Sequence, residues 1–411
     1  MTSRTEVSEP GTGAYGGRES AVRPMRFSVD GWDPGYGTSL ELDGELGEST
    51  ARVETGLEVP AGRWRPIDPA QSGPLPEALL FVDGVRRVEA RVWIDGNERA
   101  GDGPVPADDP VLGDGAGGWA PDATEALCAS YAAGVVCCCA AGAHVVAAEL
   151  RRGLFSVAAH ASDIRTRAGG YRAYHVTTGR AGVPVLAALS QSLQRRLAEV
   201  EVIAAAQARG APASKQKPVP VILSEALQGR LRDVEVVTAV EARAAIAGHG
   251  VPEGGDLLVI DGPLRGRQHL PRALGYIKSH RTTYLPPELN AMVGRLTPGQ
   301  RTPAFLMGTS WDRHSWYLRL PGPAVAPWAG VVRVECPADL TAAEVTRLAG
   351  LSQRVLGRFA STAYKDSRAP QNLYPIAGLE RELRRRLGDP QLLYRALREA
   401  ARPVGRPATR A

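Results

Sequence analysis

Two very apolar segments, each ending in Asp-Gly, constrain the fold of this chain more than any other feature. They are ALLFVDG at 78–84 and DLLVIDG at 256–262. Short apolar runs bounded by a turn residue are typical of buried strands. A helical pattern over 224–248 precedes the second segment, and it opens with Ser224 and ends at a glycine, as capped helices do. The chain is therefore predicted to combine buried strands with amphipathic helices.

Further strands and helices are predicted on both sides of these segments. RRVEARVWID at 86–95 alternates and is expected to be the next antiparallel strand, paired with the strand at 78–84. The uncharged stretch 126–148 is long enough to span a bilayer, but its Ala, Gly and Cys content favours buried strands instead. Helical periodicity is also found at 185–207 and 341–361, and two C-terminal helices are expected to divide at Gly388-Asp389-Pro390.

Composition shifts along the chain predict its domain organisation. The main domain is expected over 75–400, because this part holds the apolar strands and the amphipathic helices. The predicted flanking and inserted parts are a disordered N-terminus at 1–24, a small β-rich element at 25–74, a loop insertion at 96–124, a linker at 209–220 and a basic tail at 401–411.

Charge and cysteine content exclude several classes of protein. The 49 Lys and Arg against 44 Asp and Glu give a net charge of +5, too small to indicate a nucleic-acid partner by itself. The N-terminus lacks an apolar signal segment, so a cytoplasmic protein is expected. Three of the five cysteines are adjacent, at 137–139, and they are interpreted as small buried side chains in a reducing compartment rather than a zinc site or a disulfide.

The two Asp-Gly pairs are the strongest candidates for chemistry. Asp83 and Asp261 each follow an apolar strand, where an uncompensated carboxylate would be costly. A divalent cation with oxygen ligands is one way of compensating such a group. Asp-Gly is also a common turn, and this alternative remains open.

A third acidic residue and a positively charged side chain would complete a metal site for phosphodiester cleavage. Glu241 lies on the predicted helix among apolar residues and is expected to face inward, and Lys278 follows an apolar strand in GYIKSH. A lysine there could orient a water molecule or stabilise a leaving oxyanion. The rival acids are Glu235, Glu225 and Asp233 on the same helix, with Glu149 and Asp95 as weaker candidates.

Arginines and one tyrosine near these segments are candidates for substrate contacts. Arg265, Arg267, Arg272 and Arg281 cluster around the second Asp-Gly and could bind phosphates, or they could form a solvated basic surface. Tyr374 in QNLYPIAGLE could reach the acids or mark the start of a helix. The chain lacks the GxxxxGK[ST], GxSxG and HExxH motifs of common nucleotide-binding, esterase and metalloprotease sites.

The order of these motifs resembles the NurA nuclease family, the partners of HerA-type hexameric DNA translocases. The matching pieces are FVDG, VEARAAIA, LLVIDGPL, GYIK and NLYPIAGLERELRRRLGD, within roughly residues 75–390. The resemblance implies an α/β fold with a ribonuclease H-like core, a mixed β-sheet and flanking helices. One departure is Glu382, which stands where family members often have a histidine eight residues after the tyrosine.

The resemblance also implies a function and its residues. Asp83, Glu241 and Asp261 would bind Mn²⁺ or Mg²⁺, Lys278 and Tyr374 would complete the catalytic set, and Arg265, Arg267 and Arg281 would contact DNA. The resulting hypothesis is a metal-dependent DNA nuclease with two ions roughly 4 Å apart. It would act as a homodimer with a HerA-like hexameric ATPase, in DNA repair or anti-phage defence. The alternatives are a non-catalytic adaptor of such an ATPase and an RNA-processing nuclease with the same core.

Overall fold

The computed structural model has one dominant sheet with helices on both of its faces. It describes residues 25–29, 47–48, 51–70, 73–96, 123–176, 219–248, 250–280, 282–309, 311–322 and 326–401. The predicted helix at 185–207, most of the loop at 96–124, most of the linker at 209–220 and nearly all of the basic tail lie outside these residues. The fold is therefore a mixed α/β arrangement, as far as the described part of the chain extends.

Fourteen strands and five α-helices are found in the described residues. The strands are β1 (Phe27–Val29), β2 (Gly47–Glu48), β3 (Arg52–Glu54), β4 (Ala78–Ile94), β5 (Thr124–Cys139), β6 (Gly142–Ser156), β7 (Ile164–Thr166), β8 (Gly169–His175), β9 (Asp256–Asp261), β10 (Ala273–Ile277), β11 (Thr282–Thr283), β12 (Phe305–Gly308), β13 (Asp312–Arg319) and β14 (Val331–Pro337). The helices are α1 (Val219–Gly248), α2 (Pro287–Val293), α3 (Ala342–Leu356), α4 (Tyr374–Arg386) and α5 (Pro390–Ala400).

The strands of the main sheet follow the order β3-β12-β13-β14-β10-β9-β4-β5-β6-β8-β7, and β1 pairs with β4. The contacts of β9 with β4 and with β10 are parallel, whereas β4, β5 and β6 pair antiparallel. The segment before residue 75 supplies β1 and β3 to this sheet, and β2 pairs with β11 in a small second sheet. Parallel strands in the middle bring the carboxyl ends of β9 and β10 to one edge of that part of the sheet.

The strand that carries Asp83 is longer than predicted. β4 runs without a turn through Gly84 to Ile94, so the two strands predicted at 78–84 and 86–95 are one strand, and the predicted hairpin between them is wrong. The reason is that β5 pairs with β4 along nearly its whole length, and a bulge between Val88 and Ala90 absorbs the change in register. The strands β9 and β10 and the helices at the C-terminus follow the sequence prediction.

Two apolar layers cover the sheet, one on each face. One layer joins Phe81 and Val259 to residues of α3 and to Leu373 and Ile376 at the start of α4. The other layer lies under α1, which begins at Val219 rather than at Ser224 and packs through residues such as Ala239 and Ala242. Among the described helices, none has the length and apolar character needed to cross a membrane.

Candidate active site

Asp83 and Asp261 lie side by side in the sheet. Val82 of β4 is opposite Ile260 of β9 in parallel pairing, so the next residue of each strand is at the same level. Neighbouring strands are about 4.8 Å apart, and equivalent positions of parallel strands present their side chains on one face. Alternation with Phe81 and Val259 places both acids on the α4 face. The structure therefore brings these two predicted residues together.

Burial gives Asp83 an unusual charge state. Its side chain is 8% exposed, and its Oδ1 accepts a hydrogen bond from the Gly84 N–H at 2.8 Å. Burial, and then the charge of Asp261, raise the pKa of Asp83 well above its ordinary value, while Lys278 opposes this rise. A carboxyl group in this setting favours either a proton or a cation as its compensation.

Asp261 has a direct cationic partner. Lys278 lies one residue beyond the end of β10, and its Nζ donates to Asp261 Oδ2 at 2.6 Å and to Asn372 Oδ1 at 3.1 Å. Burial raises the pKa of Asp261, and the charge and hydrogen bond of Lys278 counteract that rise. Asn372 in turn donates from Nδ2 to Asp366 at 2.5 Å, which fixes the amide on Lys278. Lys278 is therefore placed where the sequence predicted it, at the end of a strand beside an Asp-Gly acid.

The helix α4 brings a third carboxylate to this face of the sheet. Glu380 lies on α4, and its charge acts on both Asp83 and Asp261. Burial disfavours its charge, but hydrogen bonds from Arg368 and Arg384 hold the pKa of Glu380 below its ordinary value. Glu380 was not selected from the sequence, although Leu379 and Leu383 of the same helix are buried and place their neighbour near the sheet. We call Asp83, Asp261, Lys278, Asn372 and Glu380 the acidic site.

The helical acid selected from the sequence does not face this site. Glu241 is exposed on α1, and its helix neighbours Val237 and Val240 are 38% and 56% exposed, so the prediction of an inward face is wrong. The buried acid of α1 is Glu235, whose carboxylate packs against Gly84 and pairs with Arg267. Because Gly84 faces α1 and Asp83 faces α4, Glu235 lies on the other face of the sheet from Asp83. Its pKa is raised to about 7 by burial, and Arg267 limits the rise.

The other rival acids are engaged in local ion pairs or exposed. Asp233 pairs with Arg230, Glu149 with Arg151 and Asp95 with Arg26, while Glu225 is exposed on α1.

The predicted DNA-contacting arginines divide into different settings. Arg265 is exposed beside the second Asp-Gly, as a phosphate ligand requires. Arg267 is 6% exposed and pairs with Glu235, so it is placed as an internal counter-ion and not on a DNA-contacting surface. Arg272 pairs with the buried Asp256, and Arg281 lies outside the described residues.

Tyr374, the candidate tyrosine of the sequence analysis, lies at the first turn of α4. The Tyr374 hydroxyl is hydrogen-bonded to the Thr362 hydroxyl at 2.7 Å, and its side chain is 38% exposed. It follows Asn372 by two residues, which places it next to the Lys278 contacts along the chain. Glu382, at the position of the expected histidine, pairs with Arg385 and Arg386 on the outer side of the helix.

The donor set of the acidic site suits a hard divalent cation. Asp83, Asp261 and Glu380 offer carboxylate oxygens, the ligands that Mg²⁺ and Mn²⁺ prefer, and the first two are carboxyl groups whose charge is disfavoured as they stand. Their three carboxylates are not drawn together tightly. Among the described residues, the set with all ligand atoms within 4.8 Å of one another is Cys137, Cys139 and His144. Asp83 and Asp261 are therefore the residues of the acidic site that would hold a cation, with the carboxylate of Glu380 beside them on α4.

Comparison with known proteins adds little to this geometry. No sequence family and no curated protein matches the chain. Among solved structures, the NurA nuclease from Sulfolobus solfataricus is similar over 82% of this chain and 88% of that chain, with 9% sequence identity and a TM-score of 0.32. A likeness at that TM-score carries no argument about fold or function, and the assignment to a mixed α/β fold is based on the strands and helices described above.

Proposed function

We propose that this chain is a metal-dependent phosphodiesterase that cleaves DNA, with a ribonuclease H-like core in its sheet. The single observation that supports the proposal is the pair Asp83 and Asp261, which lie at the same level of two adjacent parallel strands. Two carboxylates at that spacing, on a sheet face beside a lysine, are the arrangement expected of a cation site for phosphoryl chemistry.

Each residue of the acidic site has a proposed role. Asp83 and Asp261 would hold Mn²⁺ or Mg²⁺, and Glu380, rather than Glu241, would be the helical acid whose negative charge acts on them. When bound, the cation would activate a water molecule and neutralise charge on the scissile phosphate. Lys278 favours the ionised form of Asp261 through its 2.6 Å contact, against the effect of burial, and would present positive charge toward a leaving oxygen. Tyr374 is retained as a residue that orients substrate at the mouth of the site.

The sequence motifs extend this proposal to partners. Their resemblance to the NurA family supports a role at DNA ends beside a HerA-like hexameric ATPase, with the chain as a homodimer. DNA contacts are assigned to the exposed Arg265 and to Arg281, which lies outside the described residues, whereas Arg267 is left out because it is buried against Glu235. Repair of DNA and defence against phage are the two settings in which such an enzyme would act.

Replacement of the two aspartates tests the proposal. Asp83→Asn and Asp261→Asn preserve side-chain size but remove the negative charge that would hold the cation, so we expect a loss of Mn²⁺-dependent digestion of linear DNA of about 100-fold or more. Glu241→Gln is the matched control, since Glu241 is exposed on α1 and should leave the rate unchanged.

The outcomes of this assay separate the candidate functions. Undiminished digestion by both Asn variants would remove the acidic site as the catalytic centre. A wild-type protein that binds a HerA-like ATPase and never cuts DNA, alone or with that ATPase, would instead identify an adaptor. Faster cleavage of RNA than of DNA of the same sequence would identify an RNA-processing enzyme.

A further inference from the structure

The β5–β6 hairpin gathers three potential metal ligands near its tip, on the opposite face of the sheet from Asp83. Cys137 and Cys139 belong to β5, His144 belongs to β6, and their Sγ and ring nitrogen atoms all lie within 4.8 Å of one another. Cys137 is fully buried, while Cys139 and His144 are half-buried near the turn. The group therefore combines an anchored thiol with two ligands that solvent can reach.

A bulge in β6 brings the histidine into this group. Val135 is opposite Ala147, and continuing that register would place Val145 opposite Cys137. The register instead shifts by one residue, so that His144 is the direct partner of Cys137. Bulges commonly re-aim a side chain in this way. The hairpin thus replaces an apolar neighbour of Cys137 with an imidazole.

Strand alternation explains why three adjacent cysteines do not prevent a metal site. Cys137 and Cys139 lie on the α1 face, in the same apolar layer as Ala242 and Ile246. Cys138 lies on the opposite face, among residues of the other layer. The interpretation of the three cysteines as equivalent apolar side chains overlooked this division, which leaves two thiols and one imidazole facing together.

We propose that Cys137, Cys139 and His144 form a binding site for Zn²⁺, separate from the acidic site and independent of the proposed nuclease function. Thiolate and imidazole are the ligands that Zn²⁺ takes in tetrahedral sites, whereas hard cations prefer carboxylates. Tetrahedral bond lengths imply ligand atoms about 3.8 Å apart, so a contraction of about 1 Å at most would close the set around an ion. Cys139 directly precedes the exposed turn at Ala140 and Ala141, and His144 is the third residue of β6 after that turn, so both lie near the end of the hairpin where such an adjustment is easiest.

Binding would convert two thiols to thiolates and release two protons to solvent. The ion supplies the positive charge that makes the thiolate form favourable. Three protein ligands leave a fourth position on the solvent side for water or a ligand from another molecule.

Cobalt titration of the full-length chain tests this site. After removal of metals with a chelator, under reducing and oxygen-free conditions, we expect one Co²⁺ per chain with an intense thiolate-to-metal absorption band that Zn²⁺ displaces. The band reports sulfur ligation, so a cation bound at Asp83 and Asp261 does not contribute to it. Asp83→Asn should therefore retain the band in full.

Variants of the hairpin assign the band to its ligands. Cys137→Ser and Cys139→Ser should each lose most of the band, and His144→Ala should weaken Co²⁺ binding and change the tetrahedral visible spectrum. Cys138→Ser is the matched control on the opposite face and should keep both. Because Cys137 is fully buried, the folding of Cys137→Ser is checked by circular dichroism. If this variant unfolds, the test is based on the variants of the half-buried Cys139 and His144. Absence of a thiolate band in the wild-type protein, or its persistence in a folded Cys139→Ser variant, would overturn the proposal.

Discussion

At the scale of single residues, the contact between Lys278 and Asp261 opposes the effect that burial has on the pKa of this acid. The Lys278 Nζ donates two hydrogen bonds, one to Asp261 Oδ2 at 2.6 Å and one to Asn372 Oδ1 at 3.1 Å. Its charge is the main influence that lowers the pKa of Asp261 against the effect of burial. A lysine so placed positions the carboxylate and favours its ionised form whether or not it touches a substrate.

Lys278→Gln should therefore shift the pH dependence of cleavage. Without the ammonium group the pKa of Asp261 rises, so the acid limb of the rate profile should move to higher pH, and the maximal rate should fall by about 100-fold. Lys278→Arg retains the charge and should keep the acid limb near its wild-type position. The measurement is the initial rate of linear-DNA digestion across a pH series at saturating Mn²⁺. An unchanged acid limb in the Gln variant would show that Lys278 does not influence the pKa of Asp261 during cleavage.

A second prediction concerns the stability of the metal-free protein. The pKa of Glu235 is raised to about 7 in the folded chain, from 4.5 for the ordinary group, so the folded state binds more protons than the unfolded state between these values. Its contribution is therefore fully present below pH 4.5 and is lost as pH rises through about 7. The pKa difference corresponds to a decrease in unfolding free energy on the order of 3 kcal/mol.

Urea unfolding at a series of pH values measures this decrease. Glu235→Gln removes the titrating group and should flatten the curve over that range, while Glu241→Gln, exposed on the same helix, should retain the wild-type slope. Equal slopes in both variants would show that Glu235 is ionised throughout the range.

The sequence predicted the two strand aspartates but not the third acid. Asp83 and Asp261 were recognisable because each directly follows an unbroken apolar run, of five residues at 78–82 and of four at 257–260. A helical glutamate is harder to place, because the buried face depends on which neighbours pack. The apolar neighbours Val237 and Val240 led to the prediction that Glu241 faces the core, yet both valines are exposed. Glu380 was hidden in ERELRRR, where charge dominates the pattern and only Leu379 and Leu383 mark the buried side.

At the scale of elements, Gly84 lies inside the long strand β4 and not in a turn, and its role is to let α1 approach the sheet. Local pattern suggested a hairpin at Asp-Gly, since that pair is a frequent turn. Pairing along β5 overrides this preference, and the glycine instead makes room for α1 to approach the sheet. A Cβ atom on Gly84 would lie 2.6 Å from Glu235 Oε1 and 2.7 Å from Leu231 Cδ1. Such long-range pairing cannot be derived from one segment alone.

Gly84→Ala should consequently destabilise the protein. The added methyl group has to displace Leu231 and the buried carboxylate of Glu235, and overpacking of this kind costs about 1–3 kcal/mol. Gly378→Ala provides the matched control, because Gly378 lies within α4 with open space at the Cβ position, and there Ala should stabilise the helix by up to about 1 kcal/mol. Chemical denaturation of both variants gives the comparison. A Gly84→Ala protein as stable as the wild type would mean that α1 can move away from β4 at little cost.

At the scale of the whole molecule, many of the positively charged side chains form ion pairs with acids of the same chain. The chain has 49 Lys and Arg, but its net charge is only +5. Several arginines act as counter-ions of buried acids, among them Arg243 with Asp256, Arg301 with Glu58 and Arg333 with Glu335. These guanidinium groups are unavailable to a phosphate backbone, so the chain alone should bind DNA weakly. Weak binding agrees with the proposal that a partner motor delivers the DNA.

Salt dependence of DNA binding tests this distribution of charge. Each phosphate contact contributes a slope of about −0.9 on duplex DNA, and about −0.7 on single strands, to the logarithm of affinity against the logarithm of salt concentration. Arg265 is exposed in the segment that follows Asp261, so Arg265→Ala should reduce the measured slope by about one such contact. Arg347→Ala, an exposed arginine on α3, should leave it unchanged. If the wild-type affinity did not fall with salt, or if both variants behaved alike, the assignment of Arg265 to phosphate contact would be wrong, and the DNA path would have to cross another face of the sheet.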